Sequence, residues 1–267
     1  MSDAVAVFGD LKAESDELDL IVRKLREADW VADTPAPGWT VAHQIAHLAW
    51  TDAVALLAVT EPGAFAVEAE RAARAPDGFV DEAARAGAVD PGPVLLARWR
   101  DGRERLGAAL GEAPPGARFP WYGPPMSAPS LATARLMETW AHGQDIAAAL
   151  GVARLPTARL RHVARIGVRA RDYAYLVRGE QPPEEPFRVE LTGPRGELWV
   201  YGPEGASQYV TGPALDFCLL VTQRAHRADL AVRAKGPDAG HWLEIAQAFA
   251  GPPGKGRAPG SLRGRGV

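Results

Sequence analysis

The apolar spacing of this chain changes at the run Gln181-Pro182-Pro183-Glu184-Glu185-Pro186. Before it, apolar residues recur every three or four positions, the spacing of a helix face. After it they alternate with polar residues, as on a half-buried strand. A switch of this kind separates a helical part from a sheet-bearing part, and so predicts an α+β chain.

The helical part divides at its breakers. Val5, Phe8, Leu11, Leu18, Ile21, Val22 and Leu25 mark an amphipathic helix over 4–28. Thr34-Pro35-Ala36-Pro37-Gly38 stops it. Thr40 then caps a second helix that runs to about Thr60. Residues 64–90 are Ala-rich and weakly patterned, a mix of short helix and loop. Asp90-Pro91 opens a third helix to about Leu110, with proline at its first position. Six prolines and three glycines fill 111–129, a connection long enough to be functional. A fourth helix runs from Pro129-Ser130 to Leu150 and ends at Gly151. A fifth is expected over Thr157–Arg178. Four long helices with long crossovers frame a site between helices.

Beyond the switch, Phe187–Leu191, Glu197–Tyr201 and Gln208–Val210 read as strands, the first two joined by Gly193-Pro194-Arg195-Gly196. Pro213–Gln223 reads as a helix, Asp229–Arg233 as a strand and Gly240–Phe249 as a last helix. The expected organisation is a helical bundle over 1–180, a small α/β domain over 187–250 and a disordered tail over 251–267, which holds four basic residues and no acids.

Several classes are excluded early. A net charge of −3 argues against nucleic-acid binding by phosphate neutralisation. One cysteine, Cys218, allows no intramolecular disulfide and no cysteine-based metal cluster. The longest stretch free of Asp, Glu, Lys and Arg, Thr34–Thr51, contains Pro35, Pro37, Gly38 and two histidines, so no membrane span is expected. The N-terminus carries early acids and no basic segment, which predicts a cytoplasmic protein. Arginine outnumbers lysine 26 to 4 and asparagine is absent, as a GC-rich genome would produce.

Chemistry concentrates in two runs, Trp39-Thr40-Val41-Ala42-His43-Gln44-Ile45-Ala46-His47-Leu48 and Met137-Glu138-Thr139-Trp140-Ala141-His142-Gly143-Gln144-Asp145-Ile146. Residues four apart share a helix face. His43 and His47 therefore face one way, as do Glu138 and His142, with Asp145 a turn beyond. Two imidazoles and a carboxylate leave an open position on a tetrahedral zinc, the catalytic form of such a site. Apolar neighbours (Val41, Ile45, Leu48 and Trp50; Leu136, Met137, Trp140 and Ile146) place both runs in a core, where His and Glu need partners and can be each other's.

The run Pro-Gly-Trp-Thr-Val-x-x-Gln-x-x-His-Leu, followed about 90 residues later by Glu-x-x-x-His-x-x-Asp, resembles the mycothiol-dependent maleylpyruvate isomerase family, one of the DinB-like metal-binding four-helix bundles. Gly212-Pro213-Ala214-Leu215-Asp216-Phe217 and His241-Trp242-Leu243 are similar to that family's small C-terminal domain. The resemblance implies metal ligands at His47, Glu138 and His142, with Asp145 orienting them. His43 stands where relatives commonly carry an aspartate, and is expected to act as an acid/base, a partner to a ligand or a fourth ligand. The implied cofactors are Zn2+ or another divalent ion and mycothiol, a low-molecular-weight thiol. The implied activity is isomerisation or thiol transfer on a small electrophilic metabolite. Metal-dependent hydrolysis or cyclisation without a thiol, and a non-catalytic metal- or ligand-binding module, stay open beside it.

Other candidates carry less chemistry. Cys218, in Phe217-Cys218-Leu219-Leu220, reads as an inert buried thiol. Arg224 and Arg227 are candidates for steering an acidic group. Trp121 and Tyr122, in the Pro-rich connection, are candidates for walling a pocket. His162 is expected on a solvated basic face. Gly251-Pro252-Pro253-Gly254-Lys255-Gly256 lacks the strand and helix of a phosphate loop.

Overall fold

The computed structural model describes residues 3–74 and 78–261, with side chains from residue 6 onward. It divides into two compact units, Met1–Val152 and Ala153–Val267.

The first unit is built on four long helices, α1 (Asp3–Val22), α3 (Val41–Thr60), α6 (Gly92–Gly111) and α7 (Ala128–Leu150). Shorter helices α2 (Glu27–Trp30), α4 (Pro62–Arg74) and α5 (Phe79–Ala88) fill the connections, and a two-stranded antiparallel ribbon, β1 (Arg118–Phe119) with β2 (Met126–Ser127), precedes α7. The Ala-rich segment 64–90 is thus mostly helical. α3 is the hub, packing against α4, α5, α6 and α7. Its alanines allow close approach, and Ile45, Leu48, Leu95 and Trp99 fill the core beside it.

Ends are set by local chemistry. Thr40 caps α3 together with His43, whose Nδ1 accepts from the Thr40 backbone N–H at 3.3 Å. This is a capping box with an imidazole where a Glu or Gln usually stands. Pro91 is the cap of α6 rather than its first helical residue, a role its missing N–H permits. Ser127 Oγ accepts from the Ser130 N–H at 3.3 Å to start α7, and Gly151 at φ 65° ends it in the left-handed conformation. A buried ion pair ties α7 to α3: Arg135 Nε donates to Asp52 Oδ1 at 2.8 Å.

The second unit corrects several expectations. Residues 157–178 form two helices, α8 (Leu160–Arg169) and α9 (Arg171–Leu176), and both belong here. The bundle therefore ends at Val152, not near residue 180. The apolar stripe of α8, Leu160, Val163, Ala164 and Gly167, packs on α10 (Ala214–Val221). Gly167 permits this, since a Cβ there would sit 2.7 Å from Val221 Cγ2. His162, expected in solvent, is buried.

β3 (Phe187–Thr192), β4 (Leu198–Tyr201), β5 (Gln208–Pro213) and β6 (Arg233–Lys235) form one sheet in the order β4-β3-β5-β6. β3 and β5 run parallel, with Val189 opposite Val210; the other pairs are antiparallel. The strand expected over Asp229–Arg233 starts only at Arg233. Arg227–Asp229 is a single 3-10 turn, because His226 Nδ1 and Asp216 Oδ2 accept from the Ala228 and Ala231 N–H groups and draw the backbone off the ladder. The last helix, α11 (Pro237–Ile245), starts and ends earlier than its apolar pattern indicates. The tail was expected to be disordered, yet Gly251 N donates to Tyr173 Oη at 2.9 Å and Gly260 N donates to Asp229. Residues 262–267 of that tail lie outside the described residues. No described helix is long and apolar enough to cross a membrane.

Candidate metal centre

α3 and α7 pack side by side, and each turns one ligand face toward the other. The structure brings His47, Glu138 and His142 together, with one ligand atom from each lying within 4.8 Å of the others. Glu138 Oε2 is 3.1 Å from His142 Nε2 and 3.4 Å from His47 Nε2. Nitrogen and oxygen ligands at ~2.0–2.1 Å around a tetrahedral zinc stand ~3.3 Å apart, so both distances match coordination spacing.

Electrostatics favours the same use. Burial alone raises the Glu138 pKa, but the adjoining His142 and His47 rings outweigh it and hold the carboxyl well below its usual range. The side chain is an anion. Gln44, three residues before His47, sets the tautomer of His142: its Oε1 accepts from the His142 Nδ1–H, leaving Nε2 for the ligand position. Gln44 is itself held, its Nε2 donating to Thr34 Oγ1 at 2.9 Å. His47 Nδ1 is buried and has no partner among the described residues. Two imidazoles and a carboxylate, one imidazole pre-set by a neighbour, are a donor set that suits zinc or a similar divalent ion.

The other candidates fall elsewhere. His43 stays out of the triad, its Nδ1 engaged in the cap of α3. Burial lowers its pKa, the nearby Arg85 adds to this and Asp81 opposes it, so the ring is neutral at pH 7. Asp145 is buried on α7, a turn past His142. Arg224 and Arg227 lie in the second unit. There Arg224 Nη1 donates to Thr222 O at 2.7 Å, while Arg227 Nη1 donates to Gly240 O at 2.9 Å and pairs with Glu244. Trp121 stacks on Phe65 with ring centroids 5.8 Å apart, and Tyr122 meets Phe65 and Phe79 at 5.4 and 6.4 Å.

Two contributors were not singled out by spacing. Trp39, just before the α3 cap, lies 5.4 Å from the His47 ring and stacks on His142 at 5.9 Å. Its Nε1–H donates to Asp81 Oδ1 on α5 at 2.9 Å. Gln44 stood in the quoted motif without a role; its place one turn before His47 was the available signal.

Cys218 is fully buried in α10, and burial pushes its thiol well above the ordinary range. The native protein is expected to leave a disulfide reagent such as Ellman's unreacted at pH 8, and to titrate one thiol after denaturation. A rapid native reaction contradicts the burial.

A helical bundle that gathers His, Glu and His from two adjacent helices defines a four-helix-bundle class with a candidate metal site. The family model described as mycothiol maleylpyruvate isomerase N-terminal domain matches residues 11–147, and the chain belongs to that family. A second model, described as wyosine base formation, matches residues 183–235. Uncharacterized proteins from two Mycobacterium tuberculosis strains, CDC 1551 and H37Rv, are each 57% identical over 257 residues, covering 96% of this chain and 100% of theirs. The crystal structure of the mycothiol-dependent maleylpyruvate isomerase is similar in fold, with a TM-score of 0.57 at 18% identity over 88% of this chain and 95% of that one. A histidine-to-alanine mutant of that isomerase gives a TM-score of 0.57 at 17% identity over the same shares.

Proposed function

We propose that this chain is a divalent-metal enzyme that uses mycothiol to isomerise, or to transfer a thiol to, a small electrophilic metabolite in the cytoplasm. The observation that carries the reading is the convergence of His47, Glu138 and His142, with the His142 tautomer set by Gln44. Membership of the family and the fold shared with a mycothiol-dependent isomerase support it.

His47, Glu138 and His142 would hold the ion, most simply zinc. A divalent ion there supplies the Lewis acidity that keeps a coordinating thiol deprotonated at neutral pH. The remaining roles fall to this chain's own side chains. Glu138 brings the negative charge. Gln44 keeps His142 oriented. Neutral His43, one turn from His47, is assigned the proton transfer, through Nε2 because Nδ1 serves the cap. The chain has no other cysteine, and Cys218 is too buried to act as the nucleophile.

The test is a turnover screen of the metal-loaded protein with small electrophiles, maleylpyruvate first, with and without mycothiol. Turnover is expected only when the thiol is present. Turnover that is unchanged without it overturns the thiol reading in favour of metal-activated water.

A further inference from the structure

Half-buried aromatic rings extend outward from the triad. His47 meets Trp50 at 5.9 Å, Trp50 meets Phe79 at 5.3 Å, and Phe79 meets Tyr122 at 6.4 Å. Trp39 meets both imidazoles of the triad. The four rings come from the loop before α3, from α3 itself, from α5 and from the loop between β1 and β2, so no single helix stripe accounts for them. Trp99 and Phe65, core residues of the same unit, are 0% and 2% exposed. By contrast, Trp39, Trp50 and Phe79 keep part of their surface, and Tyr122 is 39% exposed.

Ring orientation strengthens the contrast. Phe65 and Trp121 lie nearly parallel, at 14°, and spend a face on each other as a backing layer. Trp50–Phe79 and Phe79–Tyr122 meet at 74° and 69°. A T-shaped contact leaves one ring with both faces outside that contact. The Tyr122 hydroxyl, pushed up to about 12 by burial and then by Glu68, remains a donor at neutral pH. Ligand sites combine apolar walls with a few convergent polar groups. Here the polar groups are the triad at one end and a phenol at the other.

We infer that the electrophile taken by this centre carries a planar, apolar group, and that Trp39, Trp50, Phe79 and Tyr122 form the wall on which that group lies beside the metal position. The inference rests on the metal reading proposed above and adds the class of ligand. It selects flat, conjugated or aromatic electrophiles over short aliphatic ones.

Two hydroxamates separate the two ideas, because both carry the same chelating head and differ in the presence of a ring. Zinc-loaded full-length protein is titrated calorimetrically with benzohydroxamate and with acetohydroxamate, and metal content is measured on the same samples. Benzohydroxamate is expected to bind about tenfold tighter, beyond the ratio seen with aqueous zinc. The preference should collapse in Phe79→Leu and Trp50→Leu while zinc content stays full. Two variants are used because Trp50 also packs against the Phe65 cluster. Equal binding of both hydroxamates by zinc-loaded wild type overturns the inference alone. So does a preference that survives both substitutions. A wild-type protein that takes up no metal overturns the metal reading, and the inference with it.

Discussion

Replacing His142 with alanine is expected to empty the metal centre and leave the fold standing. The ring supplies one of three ligand atoms, and it sits on the α7 face that meets α3. Partners that only orient a ligand already cost 10–100-fold in affinity when removed, so loss of a ligand should cost roughly 10²-fold or more. Elemental analysis of protein purified without chelator and then dialysed reads the occupancy, and circular dichroism reads the fold. Gln44→Ala is the graded companion: it frees the His142 Nδ1–H and should weaken binding by about 10–100-fold. A folded His142→Ala protein at full occupancy removes the triad from the metal.

Asp52→Ala should be the most destabilising single change in the bundle outside its apolar core. Asp52 and Arg135 pair with side chains only 5% and 3% exposed, and Arg135 Nη2 has no hydrogen-bond partner among the described residues. Removing the carboxylate strands a buried guanidinium, which costs about 3–5 kcal/mol. The double replacement Asp52→Leu/Arg135→Met discards both charges and should recover most of that loss, since a buried pair is worth little more than apolar groups of similar volume. Urea unfolding of the wild type, both single variants and the double variant measures the coupling. A loss under 1 kcal/mol in Asp52→Ala means that water reaches Arg135.

Much of this architecture is legible from residue order. The period switch at Gln181–Pro186 marks where the four-stranded sheet begins, because a helix face and a strand face demand different repeats. The caps of α3 and α7 are readable because Thr40, Ser127 and Gly151 satisfy end groups through local bonds and local φ. Other features required packing. The Arg135–Asp52 pair joins residues 83 positions apart, and Trp39 reaches Asp81 across 42; neither leaves a local pattern. The boundary at Val152 followed the burial of the α8 stripe against α10, a choice between two apolar surfaces that periodicity cannot rank.

What the sequence determined by itself is the pairing on each helix, His43 with His47 and Glu138 with His142, each at i,i+4; the resemblance to the family singled out His47, Glu138 and His142 among them as candidate ligands. Helix geometry puts residues at that spacing on one face whatever lies around them. Tertiary structure alone decided that the two faces meet, that His43 turns back to cap its own helix, and that aromatic rings from four segments gather beside the imidazoles. The physical reason is range. Spacing along a helix is set by bonds within a few residues, whereas which faces meet is set by apolar surface buried between segments far apart in the chain.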